Sequence, residues 1–216
     1  MDDFRAHAGT EATDKWPALP PELVLRNWRN MPPVLKGTGV SLREVETSDA
    51  AALLALLSRD EIAQVIAPPP QSVADLQARI EAARVERLEG RGICFAVMPE
   101  RRAEPIGLFR VREIERGFGS AEWEFVIGPE YWGGGLFFAA AAAVVDFAFD
   151  VLTVHRLEAR AAVHNGRGNG ALRKIGAVQE GVLRRSLQQE HGWVDQALWT
   201  IISDDWRKRM GRRGIH

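Results

Sequence analysis

Cysteine is almost absent from this chain: Cys94 stands alone among 216 residues. No intramolecular disulfide can form, which fits a reducing, cytoplasmic setting. Net charge is equally scarce, with 28 basic and 29 acidic side chains leaving a formal -1. No bulk cationic field is available to hold nucleic acid or an anionic membrane, so neither is expected as a partner. Long apolar runs are missing as well. The most apolar stretch, Phe137 to Val145, stops at Asp146, well short of the roughly 20 residues that a spanning helix needs. The opening Met1-Asp-Asp-Phe-Arg-Ala-His carries acid where a secretory signal carries base, and no apolar segment follows it. His7, His155, His164, His191 and His216 form no i,i+4 pair and none neighbours Cys94, so no dedicated metal site is expected. Neither Gly-x-Ser-x-Gly nor Gly-x-x-x-x-Gly-Lys-Ser/Thr occurs, which removes two common enzyme classes.

What is present is globular material. With 46% hydrophobic and 26% charged residues, the chain suits one domain and a modest extension. Residues 1–36 form the expected extension: Pro17, Pro20, Pro21, Pro32 and Pro33 bar a long helix or a central strand there. Trp16, Leu25 and Trp28 give this arm apolar groups to pack on the domain or on a second subunit of a homodimer; the alternative is a loose leader. Residues 37–210 form the expected domain, and 211–216 a basic tail.

Within the domain, Val40 to Val45 alternates as a strand does. Ser48 or Asp49 is expected to cap a helix containing Leu53, Leu54, Leu56 and Leu57. After Pro68 to Pro70, a helix runs from Ser72 to about Leu88, with Val73, Leu76, Ile80, Ala83 and Arg87 on one stripe. Ile93 to Met98, Ile106 to Ile114 and Ala121 to Ile127 read as a three-strand meander. A buried helix from Leu136 to about Val151, a strand from Arg156 to Val163 and a short helix from Gly166 to Ile175 follow. Val178 to Ser186 and Trp193 to Ile202 close as a hairpin turning at Glu190-His191-Gly192. The order is β-α-α-β-β-β-α-β-α-β-β, a mixed α/β domain around one sheet.

The informative junction is Gly133-Gly134-Gly135 between a strand and a greasy helix. Glycines at a helix start let backbone approach a ligand closely, and the unsatisfied amides with the helix dipole favour phosphate. The alternative is a turn that needs glycine only for its dihedrals. On the neighbouring strand, Glu122 and Glu124 share one face by the period of two, while Trp123, Phe125 and Ile127 take the other. Two carboxylates about 7 Å apart on one face suit proton abstraction. The alternative is a pair of solvated carboxylates matched by Arg110 or Arg112 across the sheet. Cys94, between Ile93 and Phe95, reads as core rather than nucleophile, and His155 and His164 as structural or surface residues.

The segment Ala121-Glu-Trp-Glu-Phe-Val-Ile-Gly-Pro-Glu-Tyr-Trp-Gly-Gly-Gly-Leu-Phe resembles the GNAT superfamily of acetyl-CoA-dependent N-acetyltransferases. It looks most like the branch of ribosomal-protein N-terminal acetyltransferases, those acting on alanine or serine. A second block agrees: His155-Arg-Leu-Glu-Ala-Arg, then Asn165-Gly-Arg-Gly-Asn-Gly-Ala-Leu-Arg-Lys-Ile-Gly-Ala, then Glu180-Gly-Val-Leu-Arg. The resemblance spans about Val40 to Trp206. It implies the GNAT-like fold, a mixed, mostly antiparallel sheet with flanking helices. It also implies that acetyl-CoA is the co-substrate and no metal is used. Its pyrophosphate would lie on the backbone of Gly133, Gly134, Gly135, Leu136, Phe137 and Phe138. Its pantetheine arm would pair with Phe125, Val126 and Ile127, and Asn165 would contact that arm from the other side, unless Asn165 is only a helix cap. Glu122 matches the family's base, and Glu124 stands where the family has glycine.

Departures accompany these matches. Phe137 replaces a small residue at the helix start, Gly168 replaces a serine that can protonate the leaving thiolate, and Tyr131 is the only tyrosine. The implied activity is acetyl transfer to a primary amine, a protein N-terminus or a small amine, by direct attack through a tetrahedral intermediate. The rival is a coenzyme-A-binding regulatory or assembly module without turnover.

Overall fold

The computed structural model describes residues 27–63, 66, 68–189 and 192–213. The expectations for Trp16 and Leu25 and for the turn at Glu190 and His191 lie outside these residues. Among the described residues, eight strands form one sheet in the order β1-β2-β3-β4-β5-β6-β8-β7. They are β1 Leu35–Gly37, β2 Val40–Glu44, β3 Gly92–Pro99, β4 Gly107–Glu113, β5 Ser120–Ile127, β6 Arg156–Ala162, β7 Val178–Gln189 and β8 Gly192–Ile202. Every neighbouring pair is antiparallel except β5 and β6, which run parallel. The expected fold class, a mostly antiparallel mixed α/β sheet, is the one observed.

Six helices among the described residues flank the sheet: α1 Ala50–Leu57, α2 Asp60–Ala63, α3 Val73–Leu88, α4 Leu136–Asp150, α5 Gly166–Ile175 and α6 Ser203–Arg213. Among the described residues, none is long and apolar enough to cross a membrane. The period of two sorts the strand side chains onto two faces. On one face Phe95, Phe109, Trp123, Leu157 and Trp199 meet Ala140, Val144, Phe147 and Phe149 of α4 in the main core. On the other, Val45, Leu53, Leu57, Leu76, Ile80 and Ala96 form a second core with α1 and α3. Helix α4 therefore needs apolar residues on most of its circumference, as its composition requires.

Four elements differ from the sequence reading, the short helix α2 among them, which that reading did not contain. Strand β1, too short to show a period, pairs Leu35 with Leu42. Helix α6 carries little apolar content but docks through Trp206, whose Nε1 donates to Asp146 Oδ1 at 2.7 Å. Burial raises the Asp146 carboxyl above its ordinary range. The start of α1 is a 3-10 turn over Thr47–Asp49. Asp49 does not cap it by its side chain. It accepts two bonds from Arg43, at 2.7 and 2.8 Å, and one from the Glu46 amide. Elsewhere the boundaries agree closely, with Ser72 capping α3 through the Asp75 amide. On that helix Leu76, Ile80 and Arg87 are buried, whereas Val73 is exposed.

Trp28 is only 6% exposed. Its ring meets Phe118 and Phe147 edge-on, at centroid distances of 6.0 and 6.5 Å. This part of the proline-rich arm belongs to the main core.

Candidate active site

The site begins with a mismatch in pairing. Strands β5 and β6 share only the rungs Ser120↔Arg156, Ala121↔Leu157 and Glu122↔Glu158. Beyond them β5 continues with β4 to Ile127, while β6 continues with β8 to Ala162. The strands therefore splay from Trp123 onward. Ile114 donates to the Ser120 carbonyl and Gly128 to that of Ile106, so even-numbered β5 residues turn their backbone polar groups to β4. Odd-numbered ones turn theirs towards the split, Phe125 among them. Trp132 holds the end of β5 by donating to the Ile127 carbonyl at 2.8 Å.

The glycine turn sits at the same end. Gly133 and Gly135 have φ of 84° and 81°, so both need glycine for their left-handed backbone. An added Cβ on either would meet no atom within 4 Å, so the space above them is open. Gly135 is the N-cap of α4 and carries no side chain to cap it. The turn thus lies at a helix N-terminus, where the dipole favours an anion. Phe137 sends its ring onto Phe109 and Phe125, at 5.9 and 4.8 Å, so packing absorbs its bulk. Across the split, Arg167 of α5 lies over the Trp132 ring at 4.2 Å from its centroid.

Asn165 combines both readings. Its Oδ1 accepts from the Gly168 amide at 2.9 Å, capping α5, and the residue also lines the cleft that the splay opens. Gly168 lies so close beneath it that an added Cβ would stand 2.7 Å from Asn165 Nδ2. A side chain at 168 would require the Asn165 carboxamide to shift.

The cleft has a volume of about 450 Å³ and runs from Pro68, Pro70 and Arg79, past Arg110 and Glu124, to Phe125, Ala161, Asn165 and Gly168. Glu124 and Glu122 share the face expected of them, but their surroundings differ. Glu122 is 6% exposed and receives Arg112 at 2.7 Å and Arg160 at 3.1 Å, one guanidinium on each oxygen. Glu124 borders the cleft with a side chain 56% exposed, and Arg110, itself bonded twice to Glu86, comes no nearer than 4.0 Å. Glu122 is thus answered by two arginines, and Glu124 has only Arg110 at the limit of ion-pair distance.

The charge pattern continues outward from Glu122. Arg160 also reaches Glu158 at 3.6 Å, and Arg156 joins Glu158 to Glu180 at 2.8 and 2.6 Å. Hydrogen bonds from Arg156, then from Thr200, pull the Glu180 carboxyl down to about 2. Cys94 also lines the cleft, yet burial pushes its thiol up to about 12, which removes the thiolate a nucleophile needs. His155 and His164 are exposed. Tyr131 takes a hydrogen bond from Arg102.

Residues 40–178 match the family model described as the acetyltransferase (GNAT) domain. The chain belongs to the GNAT acetyltransferase family. It is accordingly an acetyl-CoA-dependent N-acetyltransferase. The uncharacterized N-acetyltransferase YoaA of Bacillus subtilis is 27% identical over 171 residues, 79% of this chain and 97% of that protein. The ribosomal protein uS5-alanine N-acetyltransferase of Escherichia coli is 27% identical over 131 residues, 60% of this chain and 68% of the other. Among solved structures, Mycobacterium smegmatis RimJ in complex with CoA-disulfide superposes with a TM-score of 0.72 at 23% identity, covering 84% of this chain and 93% of that one. That likeness is one of fold.

Two residues of this GNAT site escaped the sequence reading. Arg160 locks Glu122 from the next strand, and the alternation Arg156, Glu158, Arg160 was the available signal. Asn169 accepts from Trp199 Nε1 at 2.8 Å and donates to the Ala162 and Asn165 carbonyls at 2.9 and 2.8 Å. It ties α5 to the end of β6, and nothing local in the sequence marks it.

Proposed function

We propose that the chain acetylates a primary amine by direct attack on the thioester, with Glu124 as the base. The residues present fit acetyl-CoA: an open space above left-handed glycines for the pyrophosphate, and unzipped β5 backbone for the pantetheine arm, which would add to the edge as a strand does. Gly133 to Phe138 would hold the first, Phe125 to Ile127 and Asn165 the second. A buried donor adjoins them, for Trp123 Nε1 has no hydrogen-bond acceptor among the described residues. Such an orphan costs about 1–3 kcal/mol.

The amine arrives as an ammonium and must lose one proton before its lone pair can attack. Glu124 takes that proton directly or through one water. The nitrogen then bonds to the acyl carbon, a tetrahedral intermediate collapses, and the carbon–sulfur bond breaks. The remaining ammonium proton balances the departing thiolate. A backbone amide of the splayed strand polarises the acyl oxygen during attack.

The observation that carries this reading is the contrast between the two carboxylates. Family resemblance points to Glu122, but that side chain is buried between two guanidinium groups, and Glu124 is the one bordering the cleft. Glu122 then serves to position β5 against β6 at the last rung before the splay. Glu124→Gln should lower kcat on the order of 10²–10³ with little change in acetyl-CoA binding, and higher pH should partly rescue it. A large loss in Glu122→Gln beside a near-normal rate in Glu124→Gln would return the role to Glu122.

A further inference from the structure

The two ends of the cleft differ in chemistry. On the acceptor side of Glu124, Leu57, Ile66, Leu76 and Ile80 form the walls, and Leu108 and Val126 form the floor. Among the described residues, the charged groups lining the cleft are Glu124, Arg110, Arg79 and Arg160, and the arginines are already engaged. Arg110 is held by Glu86 at 2.6 and 2.9 Å. Arg79 is held by Asp75 at 2.9 and 3.2 Å and donates to the Pro68 carbonyl at 2.8 Å. Arg160 belongs to Glu122 and Glu158. Asp75 in turn accepts from the Gln71 amide. Among the described lining residues, Glu124, with only Arg110 at 4.0 Å, is therefore the one carboxylate left to answer an ammonium.

We propose that the acceptor is a primary amine bearing a single positive charge on an apolar body, and that polyamines are disfavoured. The assignment rests on the acetyltransferase reading above and on Glu124 bordering the cleft. A second ammonium would be desolvated among leucine and isoleucine side chains with no further unengaged acid among the described lining residues to meet it. An apolar body gains from the same walls about fourfold in binding per buried methylene. A free amine and the first residue of a peptide with an apolar side chain share this chemistry.

The test measures thiol release from saturating acetyl-CoA by the full chain with ethylamine, phenethylamine, spermidine, and two short peptides beginning with leucine or serine. Phenethylamine should exceed both ethylamine and spermidine in kcat/KM by 10²-fold or more. The leucine peptide should exceed the serine peptide, and its rank against phenethylamine tells which source the site prefers. Ala83 also lines this compartment and sits on α3, where leucine is a good helix former. Ala83→Leu should cut the phenethylamine-to-ethylamine ratio about tenfold. Spermidine matching phenethylamine, or an unchanged ratio in the variant, would overturn the acceptor assignment while acetyl transfer stands. No thiol release with any of the five would overturn both.

Discussion

Gly135→Asn separates what the glycine turn does for folding from what it does for the ligand. Gly135 has φ of 81° and ψ of -14°, a left-handed conformation that costs most L-residues about 1–2 kcal/mol and asparagine less. No atom lies within 4 Å of an added Cβ, so no clash adds to that figure. The fold should therefore lose less than about 1 kcal/mol, or roughly 2–4 °C in Tm. The new carboxamide, however, would occupy the open space beside the first turn of α4. For the unmodified chain, acetyl-CoA at 100 times its Kd contributes about 2.7 kcal/mol, equivalent to roughly 5–11 °C. If the pyrophosphate lies on this turn and the side chain weakens binding by about 100-fold, only about 0.4 kcal/mol survives at the same concentration. The ligand-induced shift should then shrink to about 1–2 °C in a thermal melt followed by fluorescence. A variant that melts near the parent and keeps the full acetyl-CoA shift would refute the placement of the phosphates.

Trp28→Ala should destabilise the chain by about 3–5 kcal/mol, as removal of a buried ring usually does, and urea unfolding would measure it. A loss under 1 kcal/mol would mean that the arm adds little to the core despite the contacts with Phe118 and Phe147. Glu180 supplies a pH test. Its folded carboxyl titrates near 2 against an ordinary 4.5, so its stabilising pairing with Arg156 is complete above about pH 4.5 and fades as the pH falls towards 2. The stability gap between the parent and Glu180→Gln should narrow through that window. A gap independent of pH would show that the carboxylate's charge is not what makes the link from β7 across β8 to β6 stabilising.

Much of this protein was legible from local pattern. The apolar circumference of Leu136–Asp150 required a buried helix. Alternation over Ser120–Ile127 placed Glu122 and Glu124 on one face, and Asn165 with Gly176 bracketed a short helix whose bounds came out as read. These features depend on neighbours a few residues apart, and the periods of 2 and 3.6 record such neighbours directly. Elements without a period were not legible. Strand β1 has three residues, and α6 docks through Trp206 and Met210, whose partners, Asp146 among them, lie far away along the chain. The decisive feature of the site is of that second kind. The period of two put two carboxylates on one face without ranking them, and the family resemblance favoured Glu122. Ranking depends on where β5 leaves β6, on Arg160 arriving from the next strand, and on α3 closing one side of the cleft. Electrostatic pairing and solvent exposure are set by groups brought together across the sheet, so only the assembled tertiary structure could bury Glu122 between two arginines and leave Glu124 facing the cleft.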